Sequence, residues 1–250
     1  LSDWPPGTGR LALATVDSTN AEALRGLSAG APAAPFWVQA DSQSAGRARR
    51  GRAWQGLSGN FFASYALDLA ATPPGEAALR SFTAALALDE ALQAAGVPAH
   101  RLALKWPNDV LLDERKLAGI LLESTLREGR MGLVVGIGVN LAAAPDPATL
   151  EPGAVHPVAL AGVGIRITPA AFLELLAPPM ARWEACLQAE GFAPVRAAWL
   201  ARAARLGQVI TAKLPTETFE GRFETVDATG AVVLKTATGR RALPAGEIFF

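Results

Sequence analysis

Apolar and alternating runs mark strands at residues 11–16, 36–40 and 60–69, the last rich in aromatics. Between the first two, Asp17-Ser18-Thr19-Asn20 opens a helix that runs to about Leu27. All four are helix N-cap residue types, and Glu22 falls in the first turn. After a turn at residues 72–75, apolar positions at Leu79, Phe82, Leu86 and Leu88 predict a long helix over 76–95, ended by Gly96 and Pro98. Strands follow at 101–105 and 110–112, then a hairpin turn at Asp113-Glu114-Arg115, then strands at 116–126 and 131–141. A proline-rich loop covers 142–157. Thr168 caps a helix that Pro178-Pro179 interrupts, so this segment reads either as one kinked helix or as two short ones. A last helix is expected over 192–204.

The texture changes at Leu206. Short strands at 209–214, 218–227, 232–235 and 240–243, separated by turns such as Ala228-Thr229-Gly230, predict a small barrel. This divides the chain near Arg205 into a larger unit, 1–205, and a smaller one, 206–250.

The stretch ADSQSAGRARRGRAW, residues 40–54, follows neither period. It therefore reads as an exposed loop. It holds Arg47, Arg49, Arg50 and Arg52 between Gly46 and Trp54. Arginine grips phosphate with a planar fork of donors, and glycine lets a backbone approach a ligand closely. A solvated basic loop or a nucleic-acid patch is the plainer reading of this stretch alone.

Net charge bears on that choice. The chain has 23 Lys and Arg against 23 Asp and Glu, a formal charge of zero, which argues against a general nucleic-acid binder and makes the arginines a local device. Cys186 is the only cysteine, so no intrachain disulfide forms and a reducing compartment is expected. No signal peptide opens the chain, and no apolar run of about 18 residues could span a membrane. These features predict a cytoplasmic protein without membrane partners.

Several strand positions carry unusual residues. Gly119 lies within a strand, and Gly136 and Gly138 share one face of the next. Such glycines mark either a bulge or tight packing, or a place where a ligand lies against the sheet. In Lys105-Trp106-Pro107-Asn108-Asp109, proline stops the ladder and Asn-Asp is turn chemistry. By default Lys105 and Lys116 are solvated lysines at strand ends.

Taken in order, DSTN, SAGRARRGRAW, KWPNDV, KLAGILLES and VVGIGVNL resemble the catalytic core of biotin protein ligases. The likeness runs from about Leu11 to the C-terminal strands. It implies an α+β fold, a mixed sheet flanked by helices and followed by an SH3-like barrel. It implies activation of biotin by ATP and Mg²⁺ to biotinyl-5'-AMP, then transfer to a lysine of the biotin carboxyl carrier protein of a carboxylase. Carboxylate and phosphate repel one another, so fixed cations must bring them together.

The resemblance also implies roles for particular residues. Ser18, Thr19, Asn20 and Gln43 would hold the biotin head group. Gly46 and Arg47 would close the loop over the carboxylate, with Arg47 reaching towards phosphate. Arg49 and Arg50 would meet the ATP phosphates, and Lys116 would stand between carboxylate and α-phosphate. Gly119, Gly136 and Gly138 would let biotin lie on the sheet. Asn140 would face the nucleotide, Asn108 and Asp109 the reacting centre, and Asp109 would orient the incoming lysine. Trp54 belongs either to the core or to adenine packing.

Two departures stand out. Ala48 replaces a glycine common in the arginine loop, and the stretch Val155-His156-Pro157-Val158 lacks the aromatic that covers adenine in some members. Some members also carry an N-terminal DNA-binding domain. This chain opens just before its first strand, so a ligase without DNA binding is expected, with a homodimer possible through edge strands. A lipoate or octanoate ligase or transferase of the same fold, or a nucleic-acid-binding module, is the alternative.

Overall fold

In the computed structural model, residues 3–30, 33–69, 72–150, 154–213, 217–244 and 247–249 are described. Leu1, Ser2, the middle of the 142–157 loop and Leu214, where a barrel strand was expected to end, lie outside them.

One sheet organises the larger part of the chain. Its strands are β1 (Gly9–Val16), β2 (Phe36–Gln43), β3 (Phe61–Leu69), β4 (Leu102–Lys105), β5 (Asp109–Leu112), β6 (Arg115–Arg127) and β7 (Arg130–Val139). They lie in the order β1-β2-β3-β7-β6-β5-β4. Only β1 and β2 pair in parallel, because helix α1 (Thr19–Ala29) carries the chain back between them. All other neighbours are antiparallel, so the sheet is mixed, as expected.

Strand alternation assigns the two faces. Val135, Ile137 and Val139 of β7 point into the main core. There they meet helices α3 (Arg80–Ala94), α4 (Pro169–Glu190) and α5 (Phe192–Leu200), which bury Leu86, Leu88, Phe172, Leu176 and Trp199. Val134 points the other way, into a small cluster with Phe36, Val38, Ala66 and Ala23 of α1. Gly136 and Gly138 share the face of Val134, towards the N-terminal end of α1, where buried Asn20 lies over Gly136. The cleft forms at that end of the sheet.

Two helices differ from the sequence reading, and a third decides between its alternatives. The expected helix over 76–95 is a short turn, α2 (Pro74–Ala78), followed by α3. Helix α4 is one 22-residue element across Pro178 and Pro179, the single helix of the two alternatives rather than two short ones. An interior proline costs a helix about 3 kcal/mol or more, and here burial of Phe172, Leu173, Leu176, Ala177 and Met180 opposes that cost. Helix α5 ends at Leu200 rather than 204, because residues 202–204 run alongside β4: Leu104 N–H donates to Arg202 O and Ala204 N–H to Leu104 O, both at 2.8 Å.

The C-terminal strands are β8 (Val209–Lys213), β9 (Thr218–Val226), β10 (Val232–Thr236), β11 (Gly239–Leu243) and β12 (Glu247–Phe249). They form a second, antiparallel sheet in the order β11-β10-β9-β8-β12. The last strand was not foreseen. Inward-facing Ile210, Ala212, Phe223, Val226, Leu234 and Ile248 are continuous with the main core.

Arg80 on α3 and Glu184 on α4 form a buried ion pair at 2.8 Å, with side chains 7% and 6% exposed. Gln188 also donates to Glu184 Oε1, while Glu184 Oε2 has no partner. Arg80→Met should therefore lose about 3–5 kcal/mol in urea unfolding, since it strands a buried carboxylate. A loss below about 1 kcal/mol would mean that Glu184 is solvated or protonated without Arg80.

Candidate functional site

The cleft on the α1 face of the sheet has a volume of about 590 Å³. Its floor is set by strand register. Gly119 of β6 pairs directly with Gly138 of β7, and Gly136 pairs with Leu121 on one side and Ser64 on the other. A Cβ at Gly138 would lie 2.5 Å from Trp54 Cε2, and one at Gly119 would lie 2.8 Å from Trp54 Cζ3. Trp54 therefore rests flat on the glycine pair, and its buried Nε1 has no hydrogen-bond partner. At Gly136 a Cβ would fall 2.1 Å from Asn20 Oδ1, so the Asn20 amide lies over that glycine.

One end of the cleft is a network of polar groups, neutral except for Glu123 behind it. Ser18, Thr19 and Asn20 are each 4% exposed at the N-terminus of α1. Ser18 has N-cap backbone geometry, yet its hydroxyl makes no capping bond. The Thr19 amide and hydroxyl both donate to Gln43 Oε1, at 2.8 and 3.1 Å. Ser64 Oγ lies 2.8 Å from Thr19 Oγ1 and 2.6 Å from Asn20 Oδ1. Asn20 Nδ2 donates to Glu123 Oε2 at 2.7 Å.

The other end is cationic. Among the described residues, Arg47, Arg49, Arg50, Arg52, Lys105, Lys116 and Lys213 line the cleft against a single lining carboxylate, Asp109. Lys116 Nζ is 2.8 Å from Asp109 Oδ1 and 5.7 Å from the centre of the Trp54 ring. That oxygen has no aligned hydrogen bond, so the Lys116–Asp109 contact is chiefly Coulombic. Lys116 is fixed through its backbone: its N–H donates to His156 O, and its carbonyl accepts from Val158 N–H. Arg47 Nη1 pairs with Glu123 Oε1 at 2.9 Å, and Arg49 Nη1 donates to Asn108 Oδ1 at 3.3 Å. Asn108 in turn donates to Ile120 O at 2.8 Å.

The arginine stretch is more ordered than a plain loop. It folds back on itself with Arg47 opposite Ala53, and Ala48 N–H donates to Arg52 O at 2.8 Å. Ala48 is extended, at φ −130° and ψ 175°, so the alanine meets no steric objection there. Left-handed conformations fall instead on Arg50 and Gly51, at φ 59° and 72°. Gly46 is needed for close approach, since a Cβ would lie 2.5 Å from Trp54 O.

All the residues singled out from the sequence line the cleft except Gly46, which backs the Trp54 segment. Asn140 is 3% exposed, and its amide donates to Val158 O at 3.2 Å while Asn60 approaches its oxygen at 3.4 Å. Much of its hydrogen-bonding capacity is thus used in holding the neighbouring chain. The sequence reading missed Ser64, which ties Thr19 to Asn20, and Glu123, which joins the polar end to Arg47. It also treated Lys105 as a solvated lysine, whereas it is only 8% exposed and faces the cleft. Lys213 and Ile248, from β8 and β12, bring the second sheet to the cleft wall.

Gly138→Ala should cost about 1–3 kcal/mol in urea unfolding by overpacking against Trp54. In a Trp54→Ala background the same change should cost less than about 0.5 kcal/mol. Additive costs would show that the ring does not rest on this glycine.

Comparison with known proteins places these features in a family. The model for the biotin/lipoate A/B protein ligase family matches residues 12–140, and the model for the biotin protein ligase C-terminal domain matches 206–250. A biotin–[acetyl-CoA-carboxylase] ligase of Paracoccus denitrificans is 52% identical over 246 residues, covering 95% of this chain and 99% of that protein. A bifunctional ligase/repressor of Bacillus subtilis is 27% identical over 84% of this chain and 65% of that protein. The structure of biotin protein ligase from Aquifex aeolicus in complex with biotin and ATP superposes with a TM-score of 0.79 over 96% of this chain and 97% of that one. At 24% identity that likeness is one of fold.

Proposed function

The chain belongs to the biotin/lipoate A/B protein ligase family, and from that premise we propose how its cleft carries out the ligase reaction. It is an ATP-dependent biotin–[biotin carboxyl carrier protein] ligase. The carrying observation is the cleft's division into a neutral polar end, a glycine floor and a cationic end.

A fused ureido ring offers one carbonyl and two N–H groups. The Ser18, Thr19, Asn20 and Gln43 network supplies donors and acceptors buried from water, as recognition of that ring requires. The apolar tail would then run against the Trp54 ring, which itself rests on Gly119 and Gly138. In this reading Trp54 serves biotin rather than adenine. The carboxylate emerges at Lys116 and Arg47.

In the first step a carboxylate oxygen of biotin attacks the α-phosphorus of ATP. A P–O bond forms, the bond to the bridging oxygen breaks, and pyrophosphate leaves. Lys116 and Arg47 offset the repulsion between the two anions, while Arg49, Arg50, Asn108 and Asn140 hold the nucleotide. Asp109 keeps Lys116 in place until the ligands arrive. In the second step the neutral amine of the acceptor lysine attacks the acyl carbon and AMP departs, with Asp109 orienting the amine.

Mg²⁺ enters with the nucleotide in this scheme. Among the described residues no cluster of three or more His, Cys, Asp or Glu side chains could hold a metal. Residues 1–205 would form the catalytic unit and 206–250 the barrel that borders the carrier and nucleotide sites. The zero net charge fits a carrier protein rather than DNA as the macromolecular partner. A cytoplasmic setting fits the single cysteine.

The direct test is to incubate the protein with biotin, Mg-ATP and an apo carrier domain and weigh the carrier. Biotin attached to one lysine is expected. An unmodified carrier, with lipoate or octanoate attached under the same conditions, would assign the other branch of the family. Lys116→Ala should slow pyrophosphate release by about two to three orders of magnitude while the protein stays folded. Near-normal release would remove Lys116 from the reaction.

A further inference from the structure

Glu123 stands behind the cleft wall, yet it touches both halves of the site. It projects from β6 opposite Val134, on the same face as Leu121 and Gly136 one pair along. Its Oε2 accepts from Asn20 Nδ2 at 2.7 Å, and its Oε1 pairs with Arg47 Nη1 at 2.9 Å. An ionised carboxylate only accepts hydrogen bonds. Asn20 must therefore turn its amide N–H₂ to Glu123 and its oxygen to Ser64, whose Oγ lies 2.6 Å away. That amide oxygen also only accepts, so the Ser64 hydroxyl donates to it. Ser64 Oγ lies in turn 2.8 Å from Thr19 Oγ1, the donor to Gln43. Without the charge on Glu123 the Asn20 amide could take either orientation, and the Ser64 hydroxyl would follow it.

The link to Arg47 is of another kind. The backbone of the arginine stretch is already placed by its own bonds: Ala45 N–H donates to Asp17 O at 2.8 Å, Trp54 N–H to Gly46 O at 3.0 Å, and Arg47 lies opposite Ala53. These bonds fix where the Arg47 side chain starts, not where its guanidinium ends. A long side chain loses much rotamer freedom when it is ordered. Glu123 orders it beforehand, so that the cation does not have to be found during the reaction. The Arg47 side chain is 40% exposed and that of Glu123 24%, so the pair adds little to stability and acts chiefly through position.

We propose that Glu123 is a positioning residue for both ends of the site: its charge orients the polar network that receives the ureido ring, and it holds Arg47 ready for the attack on phosphorus. This rests on the ligase reading and deepens it. Glu123 touches no substrate and takes part in no bond made or broken; it acts through Asn20 and through Arg47. One side chain on β6 thus ties recognition of the head group to readiness of the arginine.

The experiment uses the full chain and reads the two links separately. Biotin methyl ester has the ring system and tail without the carboxylate, so its Kd by calorimetry reports on the polar network. Single-turnover pyrophosphate release with saturating biotin and Mg-ATP reports on Arg47. Glu123→Gln keeps the shape of the side chain and removes its charge. It is expected to weaken ester binding and to slow pyrophosphate release about tenfold each, as for loss of a hydrogen bond to a charged group. In an Arg47→Met background the same change should alter the rate by less than about twofold, since its partner is gone, while still weakening the ester. Asn20→Asp alone sets two carboxylates against each other and should weaken the ester further. Adding Glu123→Gln to it should recover ester binding, because donor and acceptor are then exchanged in place. General damage to the fold would produce neither result. Unchanged ester binding in Glu123→Gln, or no recovery when it joins Asn20→Asp, overturns the link to Asn20. An unchanged rate in Glu123→Gln, or the same slowing with Arg47→Met present, overturns the link to Arg47. Should the parent protein bind the ester yet release no pyrophosphate with biotin and Mg-ATP, the ligase reading itself fails.

Discussion

Two glycines facing each other across the β6–β7 ladder set the rest of the site in place. Gly119 and Gly138 have no side chains, so a trench opens on a sheet face that would otherwise be filled. Trp54 lies in it, and through Trp54 the whole arginine stretch is drawn over the sheet. Any larger residue at either position would lift the ring and the loop together. Close approach, rather than freedom of φ, is what glycine provides here. The same logic applies one pair along, where Gly136 makes room for the Asn20 amide.

Charge is the second constraint. A chain with no net charge gathers seven cationic side chains, among the described residues, around one cleft. Such a cluster is self-repelling, and the structure relieves it with specific carboxylates. Asp109 takes Lys116, and Glu123 takes Arg47. Neither ion pair is deeply buried, so neither contributes much to stability. Their value is in geometry: each keeps a cation where an anionic ligand will need it. Glu123 does this with both oxygens, one on Arg47 and one on Asn20. It thereby joins the polar end of the cleft to the arginine stretch.

Much of this was legible in the sequence, for identifiable reasons. Capping residues at Asp17–Asn20, the arginine and glycine run, and the Pro-Asn-Asp turn all interrupt their local period, and such interruptions stand out. Strand positions in the larger sheet followed from alternation. Ser64 could not be found that way. It sits in an ordinary apolar strand, and its importance comes only from β3 lying beside β7 and beneath α1. Glu123 looks like any solvated strand residue until β6 is placed under Asn20. The sequence left α4 open between one helix and two because local propensity opposes continuity across Pro178-Pro179 and only tertiary burial favours it. Strand β12 is three residues long, too short for a period to declare itself.

Ala48 shows how a departure from a family pattern is absorbed. A glycine in the middle of an arginine run suggests a position that needs left-handed backbone, and an alanine there should then be strained. The chain places its left-handed residues two and three positions later, at Arg50 and Gly51. Ala48 is extended and pairs with Arg52, inside a small hairpin closed by Arg47 and Ala53. An alanine in an extended position narrows the unfolded ensemble relative to glycine, by roughly 0.4–1 kcal/mol. The substitution thus favours the folded-back form of the stretch, with Arg47 and Arg49 already turned towards Glu123 and Asn108. Part of the ordering that ligand would otherwise have to supply is therefore built into the chain.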